Sequence, residues 1–558
     1  MLFPKTDFPK IFWLLFAFAL LVYALGAFLQ LMEPDATSYA LVSAEMYDRG
    51  EPWIITLRGY DWLDKPHFQF WVTFISYHIF GVNDFAYRLP SLLLFMMGVW
   101  YTYLYTKRFY SHTTGLAAVL VLMSAFHIIV SNSDVRAETL LTGFTIFSLY
   151  YMAVYLEEKR WQDLILGCLG MGIMLMTKGL YTVLPIAGGI GLACIYRLDY
   201  KEIFHPRWLF VGILAIVFTL PTLLSYYIQF DLHPEKEFFG QKGVSGVRFF
   251  LWDSQWGRFT NTGPIKGEGE PTFFLHSLLW AFAPWSLLAY WALIRKGRAL
   301  FQKKPDRKEP YTFFAFVSLF LIFSISSFQL PHYMNILYPF LAILTADAMM
   351  ELKSAVWLRA WGIFQAVVAF LFFMTIGLFQ YLFNGFWFYW DTTILLLLTF
   401  GGAVYFFLQS ETQWMKIIIP SALAILMTGY FLNRDFYPRL LPYQSETQVA
   451  FYIQSQKPEG KLGIYQMLER STDFYLRQTP PDWNLDQLKS PEVVGNLVFT
   501  DEKGRGEIQQ AGIKFEIVKS FDDFPVTQLK PQFINRKTRK EALKKTFLLR
   551  ILQVVQEN

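Results

Sequence analysis

Residues 11–31 read IFWLLFAFALLVYALGAFLQL, a stretch without a charged side chain, and MEPDATSYA follows it directly. A helix needs about 20 apolar residues to cross the hydrocarbon layer of a bilayer. Lys5 and Lys10 precede the stretch, and no small-x-small cleavage site follows it. We therefore expect a retained membrane helix that starts in the cytoplasm and delivers Glu33 and Asp35 to the opposite face.

Apolar stretches of similar length recur along the chain. Of its 558 residues, 54% are apolar, 19% aromatic and only 17% charged, and the mean hydropathy is +0.31. Soluble domains average about 25% charged residues. The pattern predicts an α-helical polytopic membrane protein with about thirteen spans, at 11–31, 89–106, 115–131, 139–156, 162–177, 180–196, 208–228, 273–294, 311–328, 333–350, 360–382, 391–408 and 415–432.

Charge and cysteine content exclude some functional classes. A net charge of +5 is small for this length and gives no support to nucleic acid as a partner. The only cysteines, Cys168 and Cys194, both lie in apolar stretches. Neither a disulfide framework nor a C-x-x-C metal site is therefore available.

Loop charges and loop lengths predict the orientation in the membrane. The segments Lys107–Arg108, Lys159–Arg160 and 295–308 are basic, which places them on the cytoplasmic side together with the N-terminus. An odd number of spans then leaves the C-terminus outside. The two longest loops, 32–88 and 229–272, also lie outside, and long loops on one face are where chemistry is expected.

Composition changes near residue 433, where charge rises and short alternating runs begin. We expect a transmembrane domain over 1–432 and a small soluble α/β domain over 433–558, on the outer face of the cell (inner) membrane, which is the periplasmic face in a Gram-negative cell. The expected strands are Leu462–Gln466, Val493–Phe499 and Ile513–Val518. The run from Arg536 to Lys545 predicts a basic amphipathic helix, with contact to acidic membrane lipids as one interpretation.

Acidic, basic and aromatic residues concentrate where the first loop meets the membrane. Asp35 begins a helical pattern, so capping a helix is one explanation for it. The same loop continues with DWLDKPH at 61–67 and ends with FAYRLPS at 85–91. Placing ionisable groups at a membrane boundary costs free energy, which indicates that these residues have a function.

These motifs, in this order, resemble the first loop of the GT-C superfamily of membrane glycosyltransferases. The chain most resembles the branch that contains protein O-mannosyltransferases and the aminoarabinose transferase of lipid A. Four later segments agree with that branch in order: RAETLLT at 136–142, TKG at 177–179, LWDSQWGRF at 251–259, and FSIS with LPHY at 323–333.

The resemblance implies transfer of a sugar from a polyprenyl-phosphate donor to a lipid, glycan or protein acceptor, with inversion. It implies a carboxylate base, Asp35, with Glu33 and Glu138 as alternatives, and cations that bind the donor phosphate. For the phosphate we expect Lys65 and Arg258 first, then Lys178 and Arg136; for substrate contacts we expect Tyr39, Asp64, His67 and His332.

The chain also departs from the family pattern. The family usually has D-E-x-R-Y-A after the first span, whereas here Ala36 follows Asp35 and Ser38 occupies the arginine position. No cofactor is required by the resemblance, and a divalent cation held by Asp64, Asp253 and His67 is the alternative. No D-x-D occurs anywhere in the sequence, which favours a monophosphate donor over a nucleotide sugar.

Three other functions remain open at this stage. A transporter or flippase of lipid-linked sugars would place ionisable residues near the bilayer midplane, often in repeated halves. A polymerase or ligase would use diphosphate-linked lipids. A membrane protein whose outer domain only binds a partner would leave Asp35 and Lys65 without a chemical role. The sugar and the acceptor are not specified by the sequence.

Overall fold

The structure is a computed structural model that describes residues 7–32, 34–262, 266–302, 309–467 and 470–554. The side chain of Arg258 also lies outside the described set.

All thirteen predicted spans fall on helices, in the predicted order. Some spans are single helices and others are two consecutive helical segments. Their bounds are Phe8–Ala27, Asp84–Phe109, His112–Met123 with Phe126–Ser133, Ala137–Glu158, Trp161–Lys178, Leu180–Val183 with Leu184–Arg197, Arg207–Tyr226 with Tyr227–Asp231, Phe273–Ala281 with Ser286–Phe301, Tyr311–Ile325, Pro331–Leu337 with Tyr338–Glu351, Ala355–Asn384, Trp390–Gln409, and Gln413–Phe431.

Eight helices in the described ranges are long and apolar enough to cross a membrane, or nine if the bent pair His112–Met123 and Phe126–Ser133 is one span. Protein encloses most of Ala137–Glu158 and Pro331–Glu351, which form the centre of the bundle. Ala355–Asn384 and Trp390–Gln409 expose most of their apolar surface, as lipid-facing helices do.

Two predicted spans are broken rather than continuous. The helix His112–Met123 meets Phe126–Ser133 at an angle of 57°. The predicted span 273–294 is interrupted at Pro284, because proline removes a backbone donor and clashes with the preceding turn. Hydropathy alone contains no signal for such breaks.

The loops between spans carry short elements that shape the candidate site. The first loop contains the helices Pro34–Arg49 and Phe68–Phe80, with a hairpin that pairs Thr56–Leu57 with Tyr60–Asp61. The second loop contains a hairpin pairing Glu237–Phe238 with Gln241–Lys242, and the helical segments Gly246–Arg248, Phe249–Asp253 and Ser254–Thr260. Further short helical segments are Tyr200–Ile203, Leu432–Phe436, Tyr437–Leu440 and Leu441–Tyr443.

A small mixed sheet follows, within what we call the C-terminal domain (described residues 445–467 and 470–554). Strand Leu497–Asp501 runs parallel to Leu462–Ile464 and antiparallel to Lys544–Gln553, which also pairs with Lys514–Asp523. The domain's helical segments are Ser445–Gln456, Arg470–Leu476, Leu485–Leu488, Pro491–Val493, Glu502–Gln510, Pro531–Ile534 and Arg539–Ala542.

The basic tail does not form the predicted amphipathic helix, so that prediction was wrong. Only Arg539–Ala542 is helical, and the strand Lys544–Gln553 begins immediately afterwards. The apolar run that follows Lys545 supplies an inner strand of the sheet, with Leu548 and Leu549 fully buried. Pairing with two distant strands thus overrides the local charge pattern.

The C-terminal domain packs against the first loop. Its helix Arg470–Leu476 contacts the helix Pro34–Arg49, and Phe474 joins the apolar cluster that contains Tyr39. The Tyr475 hydroxyl accepts a hydrogen bond from Leu31 N (2.8 Å).

The hairpin of the first loop makes a second connection to the C-terminal domain. Arg58 lies at its turn with φ of 57°, a left-handed conformation that a non-glycine residue rarely adopts. In this position its guanidinium contacts Asp473 at 2.8 Å and Asp482 at 2.7 Å, and donates to Pro480 O at 2.8 Å. These contacts fix the hairpin against the C-terminal domain.

Candidate active site at the first and second loops

Asp35 lies in the first turn of the helix Pro34–Arg49, one residue inside the helix and not at the capping position. A carboxylate in a first turn is favoured by the partial positive charge of the helix N-terminus. Its side chain is 57% exposed, and Arg136 Nη1 lies 3.4 Å from its Oδ2. Arg136 immediately precedes the helix Ala137–Glu158 and also contacts Asp134 at 3.5 Å. Two of the motif segments therefore meet at an accessible carboxylate.

Arg88, from the last motif of the first loop, is a buried anchor for the chain that enters this site. Its guanidinium donates to four backbone carbonyls, those of Ser133 (2.7 Å), Gln30 (3.1 Å), Asp84 (3.5 Å) and Leu29. The side chain is 1% exposed. Because five N–H donors in a rigid fork can satisfy several carbonyls at once, Arg88 joins the end of the first span to the start of the segment carrying Arg136.

Glu138, Lys178 and His332 form a buried cluster. The Lys178 ammonium donates to Glu138 Oε1, and His332 Nε2 lies 3.7 Å from the same oxygen. The Lys178 ammonium also lies 4.5 Å from the centroid of the Tyr333 ring. Three separate motif segments, RAETLLT, TKG and LPHY, therefore converge on one polar centre.

A cavity of about 90 Å³ opens beside Lys178. Its lining combines this cation with aromatic and polar side chains: Tyr181, Ser254, Gln255, Phe259, Ile322, Phe323, Ser326, Phe328 and Tyr333. Gly179 ends the helix with φ of 99°, and a Cβ there would lie 2.3 Å from Gln255 Nε2. Only glycine allows both the turn and this close approach of the second-loop helix.

The helix Ser254–Thr260 separates this cavity from an open groove of about 640 Å³. Ser254, Gln255 and Phe259 line the cavity, whereas Trp256 and Gly257 line the groove. The groove also contains the exposed rings of Phe239 and Trp252 and the cations Lys242, Arg248 and Lys266. Aromatic faces with cations suit an anionic carbohydrate.

Arg258 was expected to bind the donor phosphate, and Glu33 was expected as an alternative base. Glu33 lies outside the described residues. The backbone of Arg258 belongs to the helix Ser254–Thr260, but its side chain is outside the described set. Its helix nevertheless contacts Lys178, because Gln255 Nε2 donates to Lys178 O at 3.3 Å.

Lys65, Asp64 and Tyr39 form a second polar group in the first loop. Lys65 Nζ lies 2.5 Å from Asp64 Oδ2 and 6.0 Å from the centroid of the Tyr39 ring. Burial raises the pKa of Tyr39 well above its ordinary value, and the carboxylates of Asp35, Asp64 and Glu138 raise it further. The Tyr39 hydroxyl is therefore protonated and lies within the electrostatic reach of all three acids.

His67, expected to contact substrate, is fully buried instead. Its Nε2 lies 3.2 Å from Trp53 O, and its ring packs against Trp71 and Tyr226. Burial lowers the pKa of His67 to about 3. In this position the neutral ring helps hold the first loop against the span that ends at Tyr226.

The residues considered for a divalent cation occupy different surroundings. Asp64 pairs with Lys65, Asp253 lies 3.5 Å from Arg248 Nε, and His67 is buried. Within the part of the chain that the structure describes, no three His, Cys, Asp or Glu side chains lie close enough together to hold a metal ion.

A polar network next to Glu138 was not predicted from the sequence. His127 Nδ1 lies 2.8 Å from Asn335 Oδ1, and Asn335 Nδ2 donates to Ser131 Oγ at 2.8 Å. Thr142 donates to the Asn335 carbonyl at 3.1 Å. Polar residues inside apolar spans were the available signal, because buried polar groups in a membrane protein need partners.

Comparison with known sequences gives consistent results. The family described as dolichyl-phosphate-mannose-protein mannosyltransferase matches residues 64–226. The undecaprenyl phosphate-alpha-4-amino-4-deoxy-L-arabinose arabinosyl transferase 1 of Pseudomonas fluorescens (strain Pf0-1) is 30% identical over 60% of this chain and 57% of its own length. An uncharacterized protein of Aquifex aeolicus (strain VF5) is 28% identical over 56% of this chain and 58% of its own. The chain thus spans a little over half the length of these relatives.

Comparison with solved structures extends the likeness over nearly the whole chain. The crystal structure of ArnT from Cupriavidus metallidurans bound to undecaprenyl phosphate has a TM-score of 0.73, covering 96% of this chain and 97% of that one at 19% identity. The fold predicted from the sequence, with a small sheet after the helical bundle, is confirmed. This chain therefore has the polytopic helical membrane fold of that structure, and its sequence is similar to protein mannosyltransferases and aminoarabinose transferases over part of its length.

Proposed function

We propose that the protein transfers a sugar from a polyprenyl-phosphate donor to a hydroxyl or phosphate group of an acceptor on the outer face of the cell membrane. The acceptor is a lipid resembling lipid A, a glycan or a protein. The observation that carries this proposal is the ion pair between Asp35 and Arg136, which joins two motif segments at an accessible carboxylate. The substrate in the name of the Pseudomonas fluorescens transferase and the undecaprenyl phosphate in the solved structure support the donor class.

The reaction requires a base on one side of the anomeric carbon and positive charge on the other. Asp35 takes the proton of the acceptor O–H group while the acceptor oxygen attacks the anomeric carbon. The bond from that carbon to the phosphate oxygen breaks, the lipid phosphate leaves with the electron pair, and the configuration inverts. Positioning of the two substrates supplies much of the rate.

The leaving phosphate needs cations to stabilise its charge. We assign this role to Lys65, Arg258, Lys178 and Arg136. Lys178 lines the inner cavity, and the helix of Arg258 forms part of the same wall. Lys178 is held by Glu138, and Lys65 by Asp64, so both ammonium groups are fixed before a substrate arrives. Preorganised charge of this kind stabilises a developing anion most effectively.

The two cavities favour a transferase with two substrates. The inner cavity beside Lys178 suits the phosphate group of the donor, and the open groove suits a carbohydrate acceptor. A transporter would need a path along the bundle, yet the central helices are enclosed by protein and their charged groups sit at their ends.

A reconstitution experiment separates the remaining functions. Purified protein in liposomes receives undecaprenyl-phosphate sugars labelled in the sugar, or the matching diphosphate-linked lipids, with envelope lipids and glycans as acceptors. We expect label transfer from the monophosphate donor only. Transfer from the diphosphate donor alone would favour a polymerase or ligase, and movement of intact donor across the bilayer would favour a flippase. Mass spectrometry of the envelope of a deletion strain then identifies the sugar and acceptor.

A further inference from the structure

Arg470 of the C-terminal domain contacts the helix that carries Asp35. Its Nη1 donates to Ser38 Oγ at 2.6 Å, and Ser38 Oγ donates to Pro34 O at 2.6 Å. Residues three apart on a helix lie on the same face, so Ser38 and Asp35 are neighbours. A charged side chain from a segment more than 400 residues away is therefore linked to the turn that presents Asp35.

The segment 29–31, which leads into this helix, is held by other contacts from both sides. Gln444 Nε2 donates to Leu31 O at 3.0 Å, and the Tyr475 hydroxyl accepts from Leu31 N and donates to Asp84 at 2.8 Å. Arg88 holds the preceding carbonyls from the membrane side. Of these contacts, the bond from Arg470 is made to the helix itself, one turn from Asp35.

The small side chain at position 38 makes room for this contact. Residue 38 is a serine that is 1% exposed. A buried serine leaves room for a guanidinium that comes from elsewhere in the chain. Here that guanidinium is supplied by the C-terminal domain.

We propose that Arg470 is a positioning residue: its hydrogen bond to Ser38 fixes the first turn of the helix Pro34–Arg49 and so aims Asp35 at the acceptor. The C-terminal domain then helps to position a residue of the active site. This inference rests on the proposed glycosyl transfer for its kinetic consequence, but the contact itself can be tested independently.

The test compares Arg470→Met, Arg470→Lys and Ser38→Ala in the full-length purified protein. Because a displacement of about 1 Å can cost ~10²-fold in rate, Arg470→Met is expected to lower kcat by about that factor while the donor KM stays near wild type. Arg470→Lys should recover part of the loss. Ser38→Ala combined with Arg470→Met should be no worse than either alone, because both remove one interaction.

The matched control is Arg477→Met. Arg477 also bonds the helix Pro34–Arg49, but at its far end, through an exposed pair with Asp48 at 2.5 Å. Exposed pairs contribute about 0–1 kcal/mol, so this variant should keep normal kcat.

Hydrogen exchange measured by mass spectrometry supplies a readout that does not depend on activity. Amides of residues 38–41, which bond back to the first turn of the helix, should exchange about tenfold faster in Arg470→Met, the factor expected for losing one hydrogen bond to a charged group, and should be unchanged in Arg477→Met. Wild-type exchange in Arg470→Met would overturn the proposal, whether kcat stays normal or falls, since a fall alone would mean that Arg470 acts on substrate directly. If wild-type protein transfers no sugar, the proposed function fails and the exchange result still decides whether Arg470 holds the turn.

Discussion

The carboxylate of Glu138 and the ammonium of Lys178 form a buried ion pair, although 40 residues separate them in the sequence. Their side chains are 1% and 10% exposed. The pair joins the start of one span to the end of the next, so it serves the architecture as well as the proposed phosphate site.

Breaking this pair should destabilise the protein. Glu138→Gln removes the carboxylate that compensates the Lys178 charge, and removing one partner of a buried pair costs about 3–5 kcal/mol. We expect a clearly lower apparent midpoint of thermal unfolding in detergent. Glu138→Gln combined with Lys178→Met should recover much of the loss, because no buried charge then lacks its partner. A double variant as unstable as the sum of the two single variants would contradict this account.

Replacing Arg88 with lysine should destabilise the protein, although the substitution keeps the charge. Arg88→Lys keeps the charge, but one ammonium cannot reach the carbonyls of Leu29, Gln30 and Ser133 together. Hydrogen bonds to charged groups contribute about 1.5–3 kcal/mol each, so we expect a sharp loss of folded protein by size exclusion. Arg477→Lys, at an exposed pair, is the control and should behave as wild type. Normal yield and melting of Arg88→Lys would show that Arg88 is not an anchor.

The burial of Asp473 beside Arg58 should make the stability of the protein depend on pH. Burial, which outweighs the opposing Arg58 charge, raises the pKa of Asp473 to about 7. In an unfolded chain the pKa is about 3.9, so the native state holds its proton more tightly. The stability that the protonated Asp473 side chain contributes is therefore complete below about pH 4, and it is lost as the pH rises through 7.

The measurement is the unfolding midpoint of wild type and Asp473→Asn between pH 5 and 8. Asparagine keeps the volume and does not titrate, so the wild-type midpoint should fall relative to the variant as the pH rises. Asp482→Asn removes a neighbouring negative charge that also raises the pKa of Asp473, so it should reduce the wild-type slope without abolishing it. Parallel curves for wild type and Asp473→Asn would contradict the prediction.

Orientation in the membrane is a further prediction. Reporter fusions after Glu158, Asn261 and Asp473 should report inside, outside and outside, because the basic loops favour the cytoplasm. A cytoplasmic signal at Asn261 would place the second loop on the wrong side for the proposed chemistry.

Much of this fold could be predicted because membrane spans have a strong local signal. Apolar length located thirteen helical regions in the right order, although only eight or nine helices of the described ranges are long and apolar enough to cross a membrane. Motif order pointed to Asp35, Arg136, Glu138 and Lys178, which the structure brings together in two contacting pairs. These residues sit at span ends, where sequence position already constrains depth in the membrane.

What could not be predicted depends on contacts between distant segments. His67 looks like a ligand in sequence, but its burial depends on Tyr226, far along the chain. The tail becomes a strand because Leu497–Asp501 and Lys514–Asp523 pair with it. The contact from Arg470 to Ser38 has no local signal at all, since it forms only when the C-terminal domain docks.

The most direct test of the account is the rate of sugar transfer by Asp35→Asn. Purified protein receives radiolabelled undecaprenyl-phosphate sugar and acceptor, and folding is checked by thermal melting. Asparagine keeps the shape of the side chain but cannot take a proton, so we predict a ~10²–10⁴-fold fall in kcat with normal stability and donor affinity. A well-folded Asp35→Asn protein with wild-type kcat would contradict the assignment of Asp35 as the base, and Glu33 or Glu138 would be the next residue to test.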